Sequence, residues 1–206
     1  MKHACALLAL AAALLQGCEL AIVGAGSAAA VSAIEDRRTT GTQLDDKDIE
    51  GRAGSRIDRF GDAAHVNVNA YNRSVLLTGE IPDERTREEI EKMVLGLPNV
   101  RAVTNDLQIA GTASLGARTN DSFITSKVKA RFLDAKRFNP IHVKVVTEAG
   151  VVYLLGLVTE READDAVDIA RTTGGVRKVV KVFEYCKTND ELCRPRSAPE
   201  KTKPGS

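Results

Sequence analysis

Cysteines, histidines and paired acids are the residues of this chain that could carry specific chemistry. There are few of them: four cysteines and three histidines in 206 residues. Cys186 and Cys193 can close a short loop. Their spacing fits no zinc pattern, which needs two further ligands close by. The expectation is a disulfide, and the competing reading is two unpaired thiols in a frayed tail. His3 lies in the leading apolar segment, while His65 and His142 fall at the starts of predicted strands with no cysteine or carboxylate cluster at ligand spacing. The acid pairs Glu88-Glu89 and Asp164-Asp165 stand near Arg85, Arg87, Arg161 and Arg171. That arrangement is read as a solvated outer helix face. With no Gly-x-Ser-x-Gly, no phosphate-binding glycine loop and no metal pattern in the sequence, the expectation is a chain without catalysis, cofactor or metal.

A different chemistry is concentrated between residues 121 and 138. Lys127, Lys129, Arg131, Lys136 and Arg137 outnumber Asp121 and Asp134 there. Helical spacing turns Ile124, Val128 and Phe132 to a core and leaves Phe123, Lys127, Ala130 and Arg131 on another face. Phe138 follows just past the helix end. An aromatic ring among bases suits an anionic membrane surface. The ring enters the headgroup zone, and each base adds about 1 kcal/mol near the surface. The expected lipid-contacting residues are therefore Phe123, Lys127, Ala130, Arg131 and Phe138. The alternative is that Phe123 folds back over its own helix terminus and the bases are merely solvated. Nucleic acid is not an expected partner, because no aromatic stacking platform accompanies the bases.

The amino-terminal end carries a targeting pattern. Lys2 and His3 precede an apolar run, Ala4 to Leu15. That run is too short for a membrane-spanning helix, which needs about 20 residues. It stops at Leu15-Gln16-Gly17-Cys18, which resembles the lipobox of bacterial lipoproteins, with Gln16 departing from the usual small or hydroxyl residue. The resemblance implies cleavage before Cys18, lipidation of its thiol and acylation of the new amine. Several acyl chains make a stable anchor where one holds only marginally. Glu19, in place of the aspartate that retains such proteins at the inner membrane, implies transport to the outer membrane. The following Leu20-Ala21-Ile22-Val23-Gly24-Ala25-Gly26-Ser27-Ala28-Ala29 imitates a dinucleotide-binding strand and glycine turn. No second strand of a βαβ unit follows it, so it is read as a membrane-proximal linker.

The elements that must position these residues occur twice. Val75-Leu76-Leu77-Thr78-Gly79-Glu80-Ile81 is answered by Val152-Tyr153-Leu154-Leu155-Gly156-Leu157-Val158, a repeat that makes the chain two copies of one small module. Module one is predicted as a helix capped by Asp48 and carrying Ile49, Ala53 and Ile57, a hairpin turning at Asn72-Arg73, a helix from Pro82-Asp83 with Ile90, Val94 and Leu97 inward, and a strand from Val100 to Ile109. Module two is predicted as a helix capped by Asp121 or Ser122, a hairpin across Ala149-Gly150, a helix capped by Thr159 with Ala163, Ala166, Val167 and Ala170 inward, and a strand from Val176 to Phe183. Gly79 and Gly156 are read as shaping the exit from their strands. The modules differ in charge: thirteen acids and nine bases from Asp45 to Ile109, nine acids and twelve bases from Arg118 to Tyr185.

A capped helix, a hairpin, a Val-x-Leu-x-Gly-type strand, an acidic helix and then Gly-Val-x-x-Val resemble the BON domain. The match is clearest at Val152 to Val158 and Gly175 to Val180. In the first copy Leu97-Pro98-Asn99-Val100 replaces Gly-Gly-Val, so its final turn is expected to differ. The expected fold is α+β: two tandem αββαβ modules, each a three-stranded mixed sheet packed on two helices. The expected divisions are a signal peptide at 1–17, an anchored linker at 18–43, module one at 44–110, a linker at 111–119, module two at 120–185, and a cysteine-containing disordered tail at 186–206. A lipobox followed by two such modules is similar to the dual-BON outer-membrane lipoproteins. That resemblance implies a periplasm-facing protein that binds an anionic phospholipid such as phosphatidylglycerol, helps maintain the envelope and gathers at division sites. The alternative is an adaptor that presents its modules to outer-membrane assembly proteins or to the cell wall.

Overall fold

The computed structural model describes residues 36–111, 115–187, 189, 190 and 193. The predicted signal peptide, Cys18, the dinucleotide-like segment and the tail from Arg194 onward lie outside the described residues. The chain divides into a leading unit, Met1–Asp36, and a second unit, Arg37–Ser206, which holds the elements that follow.

Each repeat starts with a long helix. In the first, α1 (Thr40–Ile57) is capped by Thr39, whose side chain accepts from the Thr42 amide. It runs through a short 3-10 stretch, Asp58–Ala63, into β1 (His65–Tyr71) and β2 (Ser74–Ile81), then α2 (Glu84–Leu95) and β3 (Ala102–Ile109). In the second, α3 (Leu115–Ala135) and a single 3-10 turn at Pro140–His142 precede β4 (Val143–Glu148), β5 (Val151–Val158), α4 (Glu160–Arg171) and β6 (Lys178–Tyr185). Both sheets have the hairpin strand in the centre. It is antiparallel to the strand before it and parallel to the strand after the second helix. This is the predicted αββαβ plan, executed twice.

The starts of α1 and α3 correct the predicted caps. Asp48 lies inside α1, and Asp121 and Ser122 lie inside α3, which begins within the segment read as a linker. The buried aspartates serve the hairpins instead. Asp46 accepts from the Asn72 and Arg73 amides at 2.8 and 2.6 Å. Asp121 accepts from the Ala149 and Gly150 amides at 2.8 Å each. Each turn thus has its backbone donors satisfied by a carboxylate from the preceding helix, and such charge-assisted bonds are stronger than neutral ones. The second helices are capped as predicted, by Asp83 and by a Thr159–Glu162 capping box.

Gly79 and Gly156 are not strand exits. They pair with Val66 and Val143 inside the sheets, where a Cβ would overlap the carbonyl oxygens of His65 and His142. Close backbone approach is what requires glycine there. The final turns of the two modules also agree more than the sequence implied, for Asn99 (φ 67°) takes the left-handed conformation that Gly175 (φ 101°) takes in module two, a conformation asparagine tolerates better than most residues.

Alternation along the central strands explains how the modules join. On one face, Val75, Leu77 and Ile81 meet Ile49, Ala53, Ile90 and Val94 in the core of module one. Val152, Leu154 and Val158 meet Ile124, Val128, Phe132 and Ala166 in the core of module two. On the opposite face, Tyr71 and Leu76 pack with Tyr153, Leu155, Leu157 and Cys193 in a third cluster between the two sheets. Successive strand residues point to opposite sides, so the helices cover one side of each sheet and the other module covers the second. Fully burying a leucine-sized side chain contributes about 1.5–3 kcal/mol, so this seam is a substantial part of the fold.

Polar contacts rim the seam. Lys144 Nζ donates to Glu50 at 2.6 Å, Tyr153 Oη to Asp106 at 2.7 Å, Asn67 to Glu148 at 2.6 Å, and Asn72 and Arg101 to Glu184 at 2.9 and 3.0 Å. Burial pushes the Tyr153 hydroxyl above its ordinary range, and acceptance by Asp106 pushes it the same way. Burial also lowers Lys144, opposed by Glu50. Cys186 and Cys193 are disulfide-linked with Cα atoms 6.1 Å apart, and the buried Cys193 packs in the seam cluster.

Candidate functional site

The outer face of α3 is the candidate site, and the core residues of that helix fix its orientation. Ile124, Val128 and Phe132 are buried. Their spacing turns Phe123, Ser126, Ala130 and Leu133 to the opposite side, at intervals of three and four residues. Phe123 is 61% exposed and Leu133 is 64% exposed, with Ala130 exposed between them. Phe123 therefore does not fold back into the module. Exposed apolar side chains aligned along one helix face are a recognisable feature of surfaces that meet a membrane or a partner.

The bases beside this face divide into two groups. Lys127, Arg131 and Arg137 turn toward α4. Lys127 Nζ donates to the Gly174 carbonyl and lies 4.7 Å from the Phe123 ring centre. Arg131 donates to the Ile169 carbonyl at 2.8 Å and to Thr173 Oγ1 at 2.7 Å, satisfying carbonyls at the end of α4 as cations near a helix C-terminus do. Arg137 pairs with Asp165 and, at 3.2 Å, with Asp168. Asp168 is held below the usual carboxylate range first by Arg171 and then by Arg137. Lys129 and Lys136 are exposed and make no ion pair among the described residues.

Several expectations change with these placements. Phe123 and Ala130 face outward together. Lys127 and Arg131 are near them, but their charged ends hold the end of α4. Phe138 does not belong to the face. It is buried, with its ring edge-on to Phe132 at 5.0 Å, because the chain folds back after Lys136 to seal the core. Asp165, read as solvated, is buried against Arg137. Leu133 was missed, although its position three residues after Ala130 on the outward face was available from helical spacing. His65 and His142 sit at strand starts, with Nδ1 3.3 Å from Glu80 and 3.8 Å from Glu162. Among the described residues, no group of three or more His, Cys, Asp or Glu is placed to hold a metal ion, and no helix is long and apolar enough to cross a membrane.

Two αββαβ repeats joined through the open faces of their sheets, with one helix presenting an apolar stripe, define a tandem small-domain protein. The sequence profile of the BON domain matches residues 45–111 and 120–187, and the chain belongs to the BON-domain family. It is 37% identical over 174 residues to the outer membrane lipoprotein DolP of Haemophilus influenzae, covering 83% of this chain and 90% of that protein. It is 34% identical over 153 residues to a 21 kDa hemolysin of Actinobacillus pleuropneumoniae, covering 73% and 79%. To the osmotically-inducible protein Y of Escherichia coli it is 32% identical over 117 residues, covering 55% and 58%.

Proposed function

We propose that this chain is a non-catalytic lipoprotein of the outer membrane, facing the periplasm, that lays α3 on anionic phospholipid and helps maintain the envelope, including at division sites. The observation that carries the reading is the pair of exposed apolar side chains, Phe123 and Leu133, on one face of α3. Lys129 and Lys136 supply charge at its margin. Such a face lies in the interface plane, its apolar groups among headgroups and its bases drawn to the negative surface. The similarity to an outer membrane lipoprotein over most of the chain supports the same compartment.

Anchoring through Cys18, after removal of residues 1–17, completes this reading. In this reading the linker at 18–43 tethers the modules to the membrane. Cys18→Ser is expected to abolish acylation and release the protein from the membrane fraction. Normal fractionation of that variant, with a mature amine at another residue, would contradict the anchor. Flotation of the unacylated mature chain, residues 19–206, with phosphatidylglycerol vesicles, against phosphatidylcholine vesicles, tests the lipid contact without the anchor. Retention only by the anionic vesicles is expected. Equal recovery with both, or with neither, would favour the adaptor reading.

A further inference from the structure

A second surface of α3 lines a cavity that the membrane face does not use. Arg118 lies five residues before Phe123, about 140° around the helix from it. It shares a cavity of 540 Å³ with Ile57, Asp58, Gly61, Ala64, His65 and Val66 of module one. That volume falls within the range of small-ligand sites, roughly 300–1,000 Å³. Arg118 Nε is buried with no hydrogen-bond partner, whereas His65 Nδ1 faces the Glu80 carboxylate, 3.3 Å from Oε2. Buried polar atoms of native proteins are nearly always hydrogen-bonded, so each such exception calls for a partner. Asp58 is exposed on the same wall. Neither it nor the Arg118 guanidinium forms an ion pair among the described residues.

We propose that this cavity binds a zwitterionic phosphate of the phosphoethanolamine class, with Arg118 toward the phosphate and Asp58 toward the ammonium. A guanidinium presents several donors in a planar fork suited to phosphate oxygens. Asp58 would repel a ligand that carried negative charge alone and attract one with an ammonium group. Opposite charges on one wall that do not pair with each other match a ligand bearing both signs. Ile57, Ala64 and Val66 give the short carbon chain between the two groups an apolar floor. The site is independent of Phe123 and Leu133, so it stands or falls separately from the membrane reading. The chemistry is shared by free phosphoethanolamine and by a phosphatidylethanolamine headgroup.

Calorimetric titration of the full chain with phosphoethanolamine, glycerol 3-phosphate and ethanolamine tests the site. Phosphoethanolamine is expected to bind once per chain, about tenfold or more tighter than either half-ligand. Arg118→Gln and Asp58→Asn are each expected to weaken it by about tenfold or more, with urea unfolding midpoints unchanged because neither side chain forms an ion pair among the described residues. Vesicles of phosphatidylethanolamine and phosphatidylcholine, free of anionic lipid and used with the unacylated chain, then identify the source. Loss of retention in Arg118→Gln on those vesicles, but not on pure phosphatidylglycerol, assigns the lipid headgroup. Loss of soluble binding alone assigns the free compound. The absence of saturable binding, or wild-type binding by both variants, would overturn the site. Equal affinity for glycerol 3-phosphate would overturn the zwitterion assignment.

Discussion

Glu162 has a larger role in the geometry of module two than its place on an acidic helix indicates. It returns to the Thr159 amide in the capping box and takes both terminal nitrogens of Arg37, at 2.7 and 2.9 Å. Burial pushes its carboxyl up, but His142, Arg37 and the Thr159 amide outweigh that and bring it well below its ordinary 4.5. Because the folded value is depressed, the stabilisation is complete above pH 4.5 and is lost as pH falls below it toward the folded value. Its size is on the order of 1–2 kcal/mol once solvent screening is allowed for. Glu162→Gln is expected to lower stability at neutral pH and to flatten the decline between pH 5 and pH 3 seen in urea titrations. An unchanged pH profile would remove Glu162 from this role. The sequence shows Glu162 only as the third residue after a cap. Its partner, Arg37, is distant in the chain, so no local pattern reveals the pair.

At the scale of the helix, α3 shows what periodicity reveals and what it hides. Spacing placed Ile124, Val128 and Phe132 inside and Phe123 outside, as the structure has them. It could not reveal which bases reach across to α4, because that depends on the carbonyls of Ile169 and Gly174, which the fold brings beside α3. The same reason explains the missed caps. Asp121 has the chemistry of a cap residue, but the fold supplies the amides of a distant hairpin turn to the same carboxylate. Arg131→Ala is accordingly expected to cost about 1–2 kcal/mol, lowering the urea midpoint. Lys129→Ala should leave it unchanged. Equal midpoints for the two would mean that Arg131 does not hold the end of α4. Reversing Lys127 and Arg131 together would perturb folding as well as charge, so Lys129→Glu with Lys136→Glu is the cleaner electrostatic variant.

For the whole molecule, the double repeat gave the αββαβ plan, but the seam between modules was not legible. Leu76 and Leu155 look like continuations of the same apolar strands as Leu77 and Leu154. Only the pairing of two sheets assigns them to a separate cluster. The disulfide belongs to that seam through the buried Cys193, so its effect should exceed that of a link in a free tail. Reduction is expected to remove about 2–3 kcal/mol for a loop of this length and to loosen amide protection in β2 and β5. Identical exchange with and without reductant would separate the disulfide from the seam. The modules, so joined, give α3 a firm base from which to meet a bilayer. The most direct measurement is flotation with phosphatidylglycerol vesicles of the unacylated chain, residues 19–206, of its Phe123→Ala with Leu133→Ala variant, and of its Lys129→Glu with Lys136→Glu variant, each first shown to be folded by circular dichroism. The account predicts that the apolar variant loses about 1–3 kcal/mol of binding for each side chain that inserts fully. It also predicts that the charge variant binds more weakly, most of all at low salt. Wild-type retention of both folded variants would contradict it.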